Sequence, residues 1–199
     1  MDAPGQVVQQ VLSPARAATR ARLIQATIDL AAEDGYDAVT IRQIAARAGV
    51  STPTAYQHAS SKDQLLLEAL MELGRRSTAQ VREHPPQAGS AAERLIGVFD
   101  RILRQAAAKP RLYHALYRGY VGSTGAMISS DTVIGFGPEN AAWIGETLRA
   151  GESEVPAAIE STARILSCLF LGTMLNVAAG RPVAEVMEIL ADAAHRLLD

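Results

Sequence analysis

The sequence has a single cysteine, Cys168, and only two lysines, Lys62 and Lys109, in 199 residues. One cysteine excludes an intrachain disulfide and any cysteine-rich metal site. There is no excess of either charge: 19 basic residues stand against 21 acidic ones, for a formal net charge of -2. A protein that coats nucleic acid nonspecifically carries a clear basic surplus, so any nucleic-acid contact here must be local. The other 17 basic residues are Arg. Arginine is the better fork for phosphate and guanine edges, although in a chain rich in Ala and Gly the simpler reading is a GC-rich coding bias. No 18 apolar residues run uninterrupted, because Asn176 and the glycines break the best stretch, Ile165 to Ala179. Met1 to Ser13 lacks the basic start and apolar run of a signal peptide. These absences lead to the expectation of a soluble, cytoplasmic protein with no membrane partner. An apolar content of 48% suits a folded chain, and the length suits one large or two small domains.

What is present is helical periodicity. Residues 1–14 are nearly uncharged and aperiodic, which reads as a disordered arm. From Ala15 to Glu33, Leu23, Ile24, Ile28, Leu30 and Ala31 recur at helical spacing, and Gly35 supplies a stop. Arg16, Arg20 and Arg22 crowd the start of this helix, where cations oppose the helix dipole. Either a compensating anion such as a phosphate backbone or simply a solvated face accounts for them. Thr40-Ile41-Arg42-Gln43 signals a second helix, with Thr40 as cap and Gln43 reaching back, and Ile41, Ile44, Ala45 and Ala48 as its apolar stripe. Gly49-Val50-Ser51 is a turn of the length that joins two crossed helices. A short third helix follows over Thr52 to His58, capped by Ser51 or Thr52, with Pro53 tolerated in its first turn. Helix, short Gly turn, short helix is the helix-turn-helix pattern, whose second member enters the major groove.

The segment Thr40 to Leu65, TIRQIAARAGVSTPTAYQHASSKDQL, resembles the DNA-binding domain of the TetR family of transcriptional regulators through its AGVS turn, Thr54, Tyr56, His58, Lys62 and Leu65. The resemblance implies an all-α fold: a helix-turn-helix DNA-binding domain over residues 15–62, then a larger helical effector-binding and dimerisation domain over 63–199. It also implies that Tyr56 and Lys62 contact phosphates, with Thr40 and Thr54 touching the same backbone. Base reading falls to Arg42, Thr52, Pro53 and Gln57: Arg chelates guanine, Gln bridges adenine, and Thr and Pro touch a thymine methyl. His58 either touches a phosphate or caps and packs its helix. Two positions depart from the family pattern. Ala55 and Ala59 stand where a Leu or Val and a Phe are usual, which puts the tilt of the third helix in question unless Tyr36, Val39 or Leu66 fills the space. Between Pro14 and Lys62 six basic residues face four acidic ones; Asp63 to Asp199 is modestly acidic, with 13 against 16.

Beyond Asp63 the periodicity predicts a fourth helix to about Arg82, a fifth over Ser90 to Ala108, a sixth over Arg111 to Tyr120, and two late helices over Pro156 to Ala179 and Pro182 to Leu198. Val121 to Pro138, with four glycines and few charges, reads as a loop or a broken helix and matches no phosphate-binding loop. In the TetR family the last two helices pair with their twins, which here gives a homodimer through residues 156–198; read from the stripes alone, they form an intramolecular hairpin. The family's effector pocket lies among the middle helices. The residues offered for it are Phe99, Leu103, Tyr113, His114, Tyr117, Met127, Trp143, Phe170 and Met174, each of which could equally be core. Tyr113, His114 and Tyr117 put three polar-tipped rings within five residues, and with Trp143 they suit a small hydrophobic ligand.

The expectation is therefore a bacterial, ligand-responsive repressor that binds palindromic operator DNA as a homodimer, needs no cofactor or metal, and is not an enzyme. Two rivals stand beside it. One is a helix-turn-helix regulator without a ligand. The other is a small helical enzyme using His114, Tyr113 and Asp100 or Asp131 as acid–base groups, for which no supporting motif occurs.

Overall fold

A computed structural model describes residues 13–86, 89–123, 138–149 and 157–198. All regular structure in them is helical. The N-terminal module is α1 (Pro14–Asp34), α2 (Ile41–Arg47) and α3 (Thr52–Tyr56). Each begins where a hydroxyl satisfies an end N–H group left without an intrahelical partner. Ser13 accepts from the Arg16 amide at 3.4 Å, Thr40 from the Gln43 amide at 3.3 Å, and Ser51 from the Thr54 amide at 3.1 Å. Gln43 does reach back, but its Oε1 accepts from the Thr40 hydroxyl at 2.6 Å. α1 stops at Gly35 (φ 75°) and the turn after α2 is made at Gly49 (φ 66°), a left-handed conformation that costs other residues about 1–2 kcal/mol. Helix α3 ends at Tyr56, two residues earlier than its sequence suggests. Gln57 and His58 lie in a closing turn in which the His58 and Ala59 amides both donate to the Ala55 carbonyl at 3.0 Å.

α4 (Lys62–Glu83) is capped by Ser61, and α5 (Ala91–Ala107) by a reciprocal Ser90–Glu93 box. α6 (Pro110–Gly122), α8 (Ala157–Ala178) and α9 (Val183–Leu198) occur close to where the periodicity places them. α7 (Pro138–Arg149) was not anticipated; its buried stripe of Trp143, Ile144, Thr147 and Leu148 is short. Most of the 121–138 segment, including Met127 and Asp131, lies outside the described residues, as do residues 1–12.

One hydrophobic core runs from Leu23 through Phe99 and Leu116 to Leu190. Burying each Leu or Ile contributes roughly 1.5–3 kcal/mol. α4 packs most extensively on α6, and α1 rests on both, so the N-terminal module is built onto the α4–α6 pair. That approach is close because of Gly119: a Cβ there would overlap the Leu66 side chain. Glu160–Ala178 within α8 is long and apolar enough to cross a membrane by length and composition. In the fold this helix packs against α5, α6, α7 and α9.

Candidate nucleic-acid interface

The outward residues of α2 and α3 form one surface. Arg42, Pro53, Tyr56 and Gln57 are exposed, with Thr40 at the α2 cap and Thr52 half-buried beside Pro53. Tyr56 is 57% exposed, so the ring is not a core group of this chain and is available to a partner. Arg42 has no hydrogen bond or ion pair within the described residues. Arg47, on the same helix, is held by both oxygens of Glu33 at 3.0 and 2.7 Å, which leaves Arg42 as the uncommitted fork of α2. Thr54 is half-buried and its hydroxyl lies 2.7 Å from that of Ser51, so it reinforces the α3 cap.

Lys62 is not swinging freely. Its ammonium donates to the Tyr36 carbonyl at 3.0 Å and lies 3.8 Å from the centroid of the Tyr36 ring, while the Arg118 guanidinium of α6 sits 4.0 Å from the same centroid. The Tyr36 hydroxyl donates to Asp63 at 2.8 Å, and this bond, with burial, pushes the Tyr36 phenol up. His58 is half-buried, with a buried Nδ1 that has no partner among the described residues. Burial, then the nearby Arg16 and Arg20, holds the imidazole below its ordinary value.

Of the arginines at the start of α1, Arg20 finds an anion within the protein, Arg16 a backbone carbonyl, and Arg22 the Thr19 hydroxyl at 3.4 Å. Arg20 donates to Glu68 at 2.6 Å and to the His58 carbonyl at 3.2 Å, and Arg16 donates to the Gln57 carbonyl at 3.4 Å. Sequence reasoning missed Tyr36, Glu68 and these two carbonyl contacts, since no local pattern marks partners 26 to 48 residues away. Ala55 and Ala59 are buried, at 0% and 3% exposure, and Val39 and Leu66 are fully buried in the same core with Tyr36 packed against it.

The residues offered for a ligand pocket fall into separate groups. Phe99, Trp143 and Phe170 cluster with one another: Phe99 stacks on Phe170 at 4.5 Å, and Trp143 meets both edge-on at 6.0 Å. Leu103 and Met174 are buried. Tyr113 and Tyr117 are buried on the inner face of α6, where burial pushes both phenols up, Tyr117 very far. Neither hydroxyl has a hydrogen-bond partner among the described residues. His114 points the other way and is exposed, so the three rings do not converge. The same divergence separates the residues weighed for acid–base chemistry, and Asp100 is engaged by Arg104 at 2.7 Å. No cluster of three or more metal-binding side chains occurs among the described residues.

Comparison with known proteins agrees with this geometry. Residues 23–69 match the family described as bacterial regulatory proteins, tetR family. The HTH-type transcriptional repressor KstR of Mycolicibacterium smegmatis is 32% identical over 109 residues, covering 55% of this chain and 53% of KstR. The chain thus spans about half the length of the curated relatives it matches. A TetR transcriptional regulator from Rhodococcus sp. RHA1 superposes with a TM-score of 0.75 at 21% identity, over 92% of this chain and 97% of that one. Thermus thermophilus FadR, a TetR-family repressor solved with lauroyl-CoA, superposes with a TM-score of 0.66 at 22% identity, over 90% and 92% of the two chains. At such identities the likeness is one of fold, and it extends through the helices beyond the matched segment. Its capped helix-turn-helix thus lies in a segment that matches the tetR family of bacterial regulatory proteins, and the larger helical body on which it is set shares the fold of the TetR regulators it superposes on.

Proposed function

We propose that this chain is a transcriptional repressor that binds palindromic operator DNA as a homodimer and releases it when a small hydrophobic effector binds. The observation that carries the reading is the surface around Tyr56: an exposed aromatic flanked by Arg42, Pro53 and Gln57 on a capped helix pair, in a chain whose net charge offers no general attraction to DNA. Tyr56 and Lys62 then fix the register on phosphates, and Arg42 and Gln57 read base edges. A dimer is supported by Ile165 on α8 and Ile189 and Leu197 on α9, all exposed on the two helices through which the family pairs. Two readers then meet half-sites about 34–36 Å apart, or a multiple of that.

The effector reading rests on the phenols of Tyr113 and Tyr117, buried in the hydrophobic core and without a hydrogen-bond partner among the described residues, and on the lauroyl-CoA bound by the FadR neighbour. An effector acts only through its unequal affinity for the two reader spacings. The mutual stacking of Phe99, Trp143 and Phe170 favours a second reading, a regulator without a ligand, because these rings already fill one another's space. A thermal-shift screen separates the two: stabilisation by an acyl or aromatic compound supports the first. DNA binding is tested by enriching random duplexes on the purified full-length chain. Tyr56→Ala is expected to weaken binding to all sequences, whereas Arg42→Ala and Gln57→Ala cost roughly 1–3 kcal/mol at particular base pairs. No enrichment at moderate salt sinks the proposal.

A further inference from the structure

Helix α3 is five residues long, and it faces the module's interior through Ala55, with Ala59 just beyond its end. A methyl group buries far less apolar surface than a leucine or phenylalanine side chain, so dispersion and burial hold this helix weakly. Among the described residues α2 is the one helix against which α3 packs extensively.

The carboxyl end of α3 is held by polar groups. Arg20 of α1 reaches 38 residues along the chain to donate to the His58 carbonyl at 3.2 Å, and its other terminal nitrogen donates to Glu68 Oε1 at 2.6 Å. Arg16, one turn earlier on α1, donates to the Gln57 carbonyl at 3.4 Å. These carbonyls close α3, where cations are favoured. Glu68 belongs to α4 and its side chain is only 14% exposed. Gln64 donates to the same Oε1 at 3.2 Å, while Oε2 is buried with no partner among the described residues. An under-satisfied buried carboxylate is costly unless a cation is fixed beside it, so Glu68 and Arg20 constrain each other.

We propose that Arg20 and Glu68 form a latch that positions α3 for base reading, in place of the apolar anchors that Ala55 and Ala59 do not supply. Arg20 is a positioning residue: it is turned toward His58 and Glu68 and acts on DNA through α3. Because Glu68 lies on α4, which leads into the rest of the fold, a tilt of α4 reaches α3 as a displacement of the His58 carbonyl. The consequence for base reading rests on the proposed DNA-binding function; the positioning of α3 does not.

The test uses the full chain with Arg20→Met, Glu68→Gln and the double variant, and Arg22→Met as a control that removes a charge from the same helix. Without DNA, amide hydrogen exchange is followed at His58 and Ala59 and within the buried stretch of α1. Arg20→Met and Glu68→Gln are each expected to speed exchange at His58 and Ala59 by about tenfold with α1 unchanged, and the double variant to add little further. With the duplex that wild type enriches from a random 30-bp pool, both variants are expected to lower the ratio of enriched to random-duplex affinity about tenfold at an unchanged salt slope, since neither residue touches phosphate. Unchanged exchange at His58 and Ala59, or faster exchange throughout the module, overturns the latch. So does a reduced salt slope in Arg20→Met, which makes Arg20 a phosphate contact. If wild type enriches no duplex the base-reading consequence is overturned, and the exchange arm decides the positioning of α3 by itself.

Discussion

The ammonium of Lys62 and the ring of Tyr36 are partners: the charge lies 3.8 Å from the ring centroid and donates to the Tyr36 carbonyl at 3.0 Å. A lysine proposed to grip a phosphate is thereby held at a defined place, and Arg118 of α6 shares the same ring. Such cation–ring contacts contribute about 0.5–1 kcal/mol at exposed sites and more when desolvated.

The scarcity of lysine makes this pair directly measurable. With lysine side chains isotopically labelled, only Lys62 and Lys109 report. The Lys62 methylene protons next to the ammonium are expected to be shifted upfield by the Tyr36 ring and to return to ordinary values in Tyr36→Leu. Tyr36→Phe keeps the ring while losing the bond to Asp63 and is expected to keep most of the shift. Ordinary Lys62 shifts in the wild type would contradict the pairing. In DNA titrations Lys62→Ala is expected to reduce the salt slope by about one.

Gly119 tests the junction between α4 and α6. A methyl group there would overlap Leu66, a fully buried side chain. Gly119→Ala is expected to cost about 1–3 kcal/mol by overpacking, a fall in Tm of several degrees for a chain of this size. The nearest atom is the Leu66 Cβ, which an alanine would retain, so Leu66→Gly in the same chain is the change that should leave room for the added methyl and make the double variant less destabilised than the two single changes summed. Calorimetry of the four proteins checks it; strictly additive losses would show that the two residues do not meet.

His58 and Glu68 give opposite pH signatures. Burial and then Arg16 and Arg20 hold His58 below its ordinary value of 6.5, so between that value and its folded one the unfolded chain binds the extra proton. Stability contributed by neutral His58 is therefore present above about pH 6.5 and lost as pH falls, a loss that His58→Gln should not show. Glu68 is raised above 4.5 by burial, against the opposing pull of Arg20 and Gln64. There the folded chain binds the extra proton, so wild type should gain on Glu68→Gln as pH falls through the raised value. Urea midpoints of the three proteins from pH 4 to 8 supply the comparison.

Ile165 and Ile189 are half or more exposed, at 50% and 59%, on the two terminal helices. If these faces meet their twins, Ile189→Glu and Ile165→Glu should each weaken self-association at least tenfold, about 1.4 kcal/mol. Sedimentation equilibrium measures this. Unaltered association would place the interface elsewhere.

How far the sequence reaches depends on how local each cause is. Thr40, Ser51 and Ser61 cap their helices within three residues, and Gly49 makes its turn by its own φ, so the helix-turn-helix was legible in the order of residues. α7 was not, because a stripe of four buried residues beside a glycine-rich stretch gives periodicity little to work on. Tyr113, His114 and Tyr117 read as one group by spacing. A helix turns about 100° per residue, however, and sends His114 to solvent while its neighbour goes inside.

By itself, then, the sequence determined every helix but α7, the helix-turn-helix motif and the groups proposed to touch DNA, because caps, turns and apolar stripes act over a few residues. Only the tertiary structure decided which charges are free to act. Arg16 and Arg20 are bound to the end of α3, Arg47 to Glu33 and Lys62 to Tyr36, while Arg42 alone on α2 remains uncommitted. Those pairings join residues 14 to 41 positions apart, and such neighbours exist only once the helices have packed.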